Sequence, residues 1–76
     1  MAKIYRRIRD LREDADLAQA AIAKHLSCGT GTYGQYERGE RGIPTEVWER
    51  LADFHNTSTD YLLERTDVAS PYPKKK

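Results

Sequence analysis

Several features are scarce in this sequence, and each scarcity excludes something. A single cysteine, Cys28, leaves no internal disulfide framework and suits a reducing, cytoplasmic setting. No apolar run approaches the ~18 residues of a membrane span, and the Met-Ala-Lys start lacks the apolar stretch of a secretory signal. No internal repeat is visible. Charged residues make up 33% of the chain, yet the formal net charge is only +1. A chain-wide polybasic grip on nucleic acid is therefore excluded, and any such function needs a local patch. His25 and His55 have no further ligand at metal spacing, so no metal site is expected. No nucleophile, cofactor loop or paired carboxylate stands out, and 76 residues leave little room for an enclosed substrate pocket. The chain is read as a non-enzyme with no catalytic residues, no cofactor and no evident small-molecule substrate. It forms one small domain, near the size where a single core only just suffices.

The most informative stretch is Gln19 to Gly39, QAAIAKHLSCGTGTYGQYERG. Gln19 to Leu26 is helix-like, with Ile22 and Leu26 four apart on one face. Its alanines are strong helix formers, but Ala18 offers no side-chain cap. Ser27, Cys28 and Gly29 form a break. A second short helix runs from Thr30 to Arg38 and ends at Gly39, where a helix C-terminus favours a residue tolerant of positive φ. Tyr33 and Tyr36 share a face that suits core packing better than base stacking, and Gly31, Gly34, Gln35 and Arg38 are expected on the opposite, outward face. Interior Gly31 and Gly34 each weaken this helix by up to ~1 kcal/mol relative to alanine, so it depends on docking its tyrosines.

The remaining chain reads as support. Residues 3 to 14 form a first helix with Ile4, Ile8 and Leu11 as its apolar stripe. Lys3, Arg6, Arg7, Arg9 and Arg12 against Asp10 make residues 1 to 12 net +4, which fits a solvated helix face and a phosphate-attracting one equally well. Leu17 is an apolar plug in the following connection. RGERGIP, residues 38 to 44, is a loop, after which Pro44 or Thr45 opens a fourth helix carrying Val47, Trp48, Leu51 and Phe54. Asn56 is a candidate positive-φ terminator for it, and Ser58 a cap for a fifth helix with Tyr61, Leu62 and Leu63. Residues 1–65 are thus the folded domain. Residues 66–76, with two prolines and three terminal lysines, are expected to be a flexible tail. Cys28 fits a small buried turn residue better than a redox-sensing thiol.

QAAIAKHL, a three-residue turn, TYGQYERG and then IPTEVWERLADFHNTSTDYLL together resemble the Cro/C1-type helix-turn-helix family of phage repressors and xenobiotic-response-element regulators. The resemblance covers about Ile4 to Arg65. It implies an all-α, lambda-repressor-like bundle of five short helices, with the helix-turn-helix at helices 2 and 3 and the second motif helix in the major groove of double-stranded DNA. By the same resemblance, Thr30, Gly31, Thr32 and Gln35 stand at base-reading or base-adjacent positions. Gln19, Arg38, Arg41 and Gly42 stand at phosphate-binding positions. Arg12 and Glu37 match a structural pair joining helix 1 to the end of helix 3, and Ala23 matches the small residue where the motif helices touch.

The departures are also informative. Ser27 replaces a preferred positive-φ glycine, and Gly29 replaces a capping serine or threonine. Gly31 and Gly34 occupy positions that usually bear reading side chains, so they cannot supply the bidentate base contacts that carry ~1–3 kcal/mol each. Two functions follow. The first is a sequence-selective transcriptional regulator, a repressor by resemblance, acting as a weak homodimer through Pro44, Val47, Thr59 and Tyr61. The second is the same fold used as a protein-interaction module with little DNA specificity.

Overall fold

The computed structural model describes residues 4–71. Five helices follow in order: α1 (Arg6–Asp14), α2 (Gln19–Leu26), α3 (Thr30–Glu37), α4 (Thr45–Phe54) and α5 (Thr59–Leu62), with no strand among the described residues. α2 packs on α3 and on α4, α1 bridges α3 and α5, and α4 packs on α5. Ile8 of α1, Ile22, Ala23 and Leu26 of α2, Tyr33 and Tyr36 of α3, Leu51 and Ala52 of α4 and Leu62 of α5 converge on a single core. Leu11, Leu17, Cys28, Ile43, Val47, Trp48 and Phe54 close its margins, half-buried. Each fully buried aliphatic side chain contributes roughly 1.5–3 kcal/mol. Truncating fully buried Leu51 to alanine would remove about 2–5 kcal/mol from a domain this small.

All five helices end in the same way. The residue after the last helical turn or one beyond it adopts positive φ: Asp16 at 59°, Ser27 at 58°, Gly39 at 71°, Asn56 at 54° and Glu64 at 62°. The next N–H then reaches back to a carbonyl five residues earlier, as Cys28 N does to Ala23 O at 3.0 Å and Glu40 N to Gln35 O at 2.9 Å. This closure satisfies carbonyls that a helix end leaves unpaired and turns the chain sharply enough for short connections. Only one of the five terminators is glycine, and the other four carry backbone strain. N-termini are less elaborate. Ser58 Oγ accepts from Tyr61 N at 3.0 Å, whereas Tyr5, Ala18, Gly29 and Pro44 give their helices no side-chain cap.

Two expectations need correction. α1 begins at Arg6, not at residue 3, and Ile4 is 55% exposed rather than part of the apolar stripe. Tyr5 explains this: its backbone is extended, and its ring meets Trp48 edge-on at 4.8 Å, so the chain enters the helix only after that contact. Second, Gly34 is buried, so α3 does not turn it to solvent. Contacts also run past residue 65. Arg7 donates to the carbonyls of Tyr61 at 2.8 Å and Thr66 at 2.6 Å and pairs with Asp67 at 2.8 Å, while Thr57 Oγ1 donates to Ala69 O at 2.6 Å. Lys3 and residues 72–76, including the terminal lysines, lie outside the described residues.

Candidate nucleic-acid interface

The two motif helices form one rigid unit. Ala23, 1% exposed, lies in the core with Tyr33 and Tyr36, and its lack of bulk lets α2 and α3 approach closely. Ser27, in the left-handed region, ends α2, and Gly29 starts α3 three residues after Leu26. Burial of Tyr33, Tyr36 and Glu37 sets the rotation of α3. Thr30, Gly31 and Arg38 are therefore exposed, and Thr32 and Gln35 half-exposed. Gly31, Gln35 and Arg38 follow one another along the outward face at helical spacing.

A buried carboxylate pins this unit to the rest of the domain. Arg12 Nε donates to Glu37 Oε2 at 2.6 Å, Arg12 Nη2 to Oε1 at 3.1 Å, and Gln19 Nε2 to Oε1 at 3.0 Å. Arg12 Nη1 also donates to Leu17 O at 2.8 Å, tying down the connection between α1 and α2. Burial tends to raise the Glu37 pKa, but the hydrogen bonds and positive charge around it prevail, and the carboxyl titrates below its ordinary value. The Tyr33 hydroxyl is buried without a well-formed hydrogen bond, and burial followed by the adjacent Glu37 charge pushes its pKa up. Gln19, expected at a phosphate, thus has its amide nitrogen committed inside the domain. Its Oε1 reaches over Gly34: a β-carbon there would lie 3.3 Å from it and 2.9 Å from Arg38 Nη1. The glycine makes room for two side chains that cross the helix.

The loop after α3 is charged and internally paired. Arg38 Nε and Nη2 donate to Glu40 at 2.9 and 3.1 Å, and both partners are about half exposed. Arg41 Nε donates to Gln35 Oε1 at 2.8 Å. Gly42 is exposed, with open space around its α-carbon. The structure thus gathers Gln35, Arg38 and Arg41 at one end of the exposed face of α3, while Thr30 and Gly31 mark the other. Of the basic residues on α1, Arg7 and Arg12 are consumed by internal partners. Arg6 and Arg9 remain at the surface, Arg9 with a long 3.9 Å contact to Glu13. Two participants escaped sequence reasoning: Glu40, whose placement opposite Arg38 RGERG does suggest, and the Gln35–Arg41 bond, which depends on how α3 ends. His25 is exposed on α2, and Cys28 is half-buried in the turn. Among the described residues, no group of three His, Cys, Asp or Glu side chains could hold a metal.

Two helices joined by a tight turn, with the second held by its tyrosines and its polar face outward, are the elements of a helix-turn-helix. Residues 6–65 match the family described as the helix-turn-helix domain. The chain belongs to the Cro/C1-type helix-turn-helix family. It is 41% identical over 62 residues to the cryptic phage CTXphi transcriptional repressor RstR of Vibrio cholerae, covering 82% of this chain and 56% of that protein. It is 33% identical over 64 residues to the HTH-type transcriptional regulator ImmR of Bacillus subtilis (strain 168), covering 84% and 50%. It is 30% identical over 70 residues to the uncharacterized HTH-type transcriptional regulator YobD of the same organism, covering 92% and 62%. The matched region of this helix-turn-helix chain thus spans about half to three-fifths of each relative. No solved structure gives a significant match.

Proposed function

We propose that this helix-turn-helix chain is a sequence-selective, DNA-binding transcriptional regulator, a repressor, that lays α3 in the major groove of double-stranded DNA. The observation that carries this reading is the outward face of α3, where Gln35 stands with Arg38 and Arg41 of the following loop at the end of a helix fixed by Arg12 and Glu37. The printed names of RstR and ImmR support the class of function. Gln35, with the hydroxyls of Thr30 and Thr32, reads bases or their neighbours. At Gly31 only backbone approaches, because glycine has no side chain, and the space where a β-carbon would stand is open. Arg38, Arg41, the backbone at Gly42 and the α2 terminus at Gln19 hold phosphates. The same reading places the protein in the cytoplasm.

The same reading includes a weak homodimer that sets two recognition helices about one DNA turn, ~34 Å, apart. Its candidate surface is the start of α4 with α5, where Pro44 is exposed and Val47, Thr59 and Tyr61 are half-buried. Tyr61 is the least available of these, since the Arg7 guanidinium sits 4.1 Å above its ring. The bare position at Gly31 favours a second reading, in which the fold serves protein interaction with little DNA specificity. Fluorescence anisotropy with a labelled duplex at low salt separates the two. The DNA reading requires binding that weakens linearly in log salt, with an Arg38→Ala slope smaller by ~1 and affinity reduced equally on all sequences. No binding at low salt leaves the interaction module.

A further inference from the structure

We propose that Arg41 is a specificity-determining residue, which turns Gln35 into a donor-presenting reader and so selects guanine rather than adenine at the base pair Gln35 faces. This inference rests on the reading that α3 enters the major groove. Its origin is the way α3 ends. Gly39 at φ 71° reverses the chain, and Glu40 N bonds to Gln35 O at 2.9 Å. That closure brings residues 40 and 41 alongside Gln35, and Arg41 Nε then donates to Gln35 Oε1 at 2.8 Å. A guanidinium has N–H donors and no acceptor, so the amide atom that meets it is the carbonyl oxygen. The orientation of the Gln35 amide is therefore dictated by Arg41, and its NH2 group is the end left for a ligand.

Base edges respond differently to such a reader. Glutamine recognises adenine by giving an N–H to N7 while accepting from the N6 amine, which needs amide oxygen and nitrogen side by side against the base. With Oε1 turned to Arg41, that pairing is lost. The Gln35–Arg41 unit presents N–H groups from the Gln35 amide and from the remaining guanidinium nitrogens. Guanine offers two acceptors to the major groove, N7 and O6, whereas adenine offers one acceptor and one donor. Donors alone match guanine and leave the adenine amine unpaired. Arg41 thereby differs from Arg38, whose guanidinium is turned to Glu40 rather than to a reading side chain.

The test uses the full chain and a duplex enriched by it from a random pool. The base pair that becomes indifferent in Gln35→Ala is identified, and four duplexes differing only there are titrated with the parent and with Arg41→Ala. The parent is expected to favour guanine, and Arg41→Ala to lower the guanine-to-adenine affinity ratio at least about tenfold. The amide NH2 resonances of Gln35 in the free protein should shift in Arg41→Ala while the melting temperature stays unchanged. If Arg41→Ala weakens all four duplexes by one common factor, or the parent already favours adenine, Arg41 serves phosphates alone and the inference is overturned with DNA binding intact. If the parent binds none of the four at low salt, the DNA reading itself fails, and the inference with it.

Discussion

Arg12 and Glu37 join the first helix to the end of the third by two hydrogen bonds, with side chains only 13% and 3% exposed. A charged pair this buried contributes little when replaced as a unit but much when halved, because the survivor keeps its charge without a counter-ion. Glu37→Ala should cost on the order of 2–4 kcal/mol in urea unfolding, and the Arg12→Ala, Glu37→Ala double variant clearly less than the two single losses added. Because Gln19 also donates to this carboxylate, Glu37→Ala should loosen the start of α2 as well. A Glu37→Ala protein that unfolds like the parent would show that the pair is not what holds α3.

The two glycines of α3 should respond unequally to alanine. Nothing lies within 4 Å of a β-carbon at Gly31, so Gly31→Ala gains helix propensity alone, up to ~1 kcal/mol, or roughly 4–8 °C in melting temperature. At Gly34 the methyl meets Arg38 Nη1 at 2.9 Å and Gln19 Oε1 at 3.3 Å. The arginine end swings away easily, but Gln19 is held by Glu37, so most of the propensity gain is offset. Calorimetric melting of both variants checks the difference. Equal stabilisation would mean that Gly34 is as open as Gly31.

Glu40 restrains the charge that phosphates need. It binds Arg38 through both oxygens, and it places a carboxylate beside the proposed backbone contacts. Glu40→Gln should tighten DNA binding several-fold at low salt, by a similar factor on every sequence, with the gain shrinking as salt screens it. Melting should hardly change, since exposed ion pairs add little to stability. Weaker binding by Glu40→Gln would instead make Glu40 the residue that aims Arg38.

Acid should destabilise the domain in two separate steps. His55 ends α4 half-buried, with Nε2 unpartnered and its ring edge-on to Phe54 at 5.1 Å. Burial first, and then the nearby His25, lower its pKa below the ordinary 6.5. The unfolded chain therefore takes up this proton first, and stability falls as pH drops below about 6.5 until the folded histidine is also charged. The lowered Glu37 acts further down: its contribution is complete above the ordinary 4.5 and is lost as pH falls through the folded-state value. Urea unfolding from pH 8 to pH 3 should show both falls, and His55→Gln should abolish the upper one. A parent profile flat between pH 7 and pH 5 would exclude the His55 step.

What could be read from the chain depended on whether the deciding interaction was local. The limits of α2, the turn at Ser27, the terminators Gly39 and Asn56 and the Ser58 cap follow from residues within a few positions of one another, and all stand where periodicity and capping put them. Asp16 and Glu64 are not visible as terminators, because glutamate seldom adopts positive φ and no adjacent residue marks Asp16, although aspartate tolerates that region better than most. Ile4 satisfied the helical period yet stayed outside the helix, since the Tyr5–Trp48 contact that decides the entry spans most of the sequence. Gly34 defeated face assignment because a glycine has no polarity to read, and its burial comes from side chains of Gln19 and Arg38. The basic cluster of α1 shrank for the same kind of reason: the carbonyls that occupy Arg7 belong to residues 54 and 59 positions later.

The central claim is that α3 reads DNA. The most direct measurement is enrichment of random duplexes by the purified chain, followed by titration of the enriched duplex with the parent and with Gln35→Ala. The account predicts a defined motif, tighter binding to it than to scrambled duplex, and loss of preference at one base pair in Gln35→Ala, by ~1–3 kcal/mol, with the salt slope nearly unchanged. A pool that stays random after several rounds at low salt, or an enriched duplex bound identically by Gln35→Ala, would contradict it.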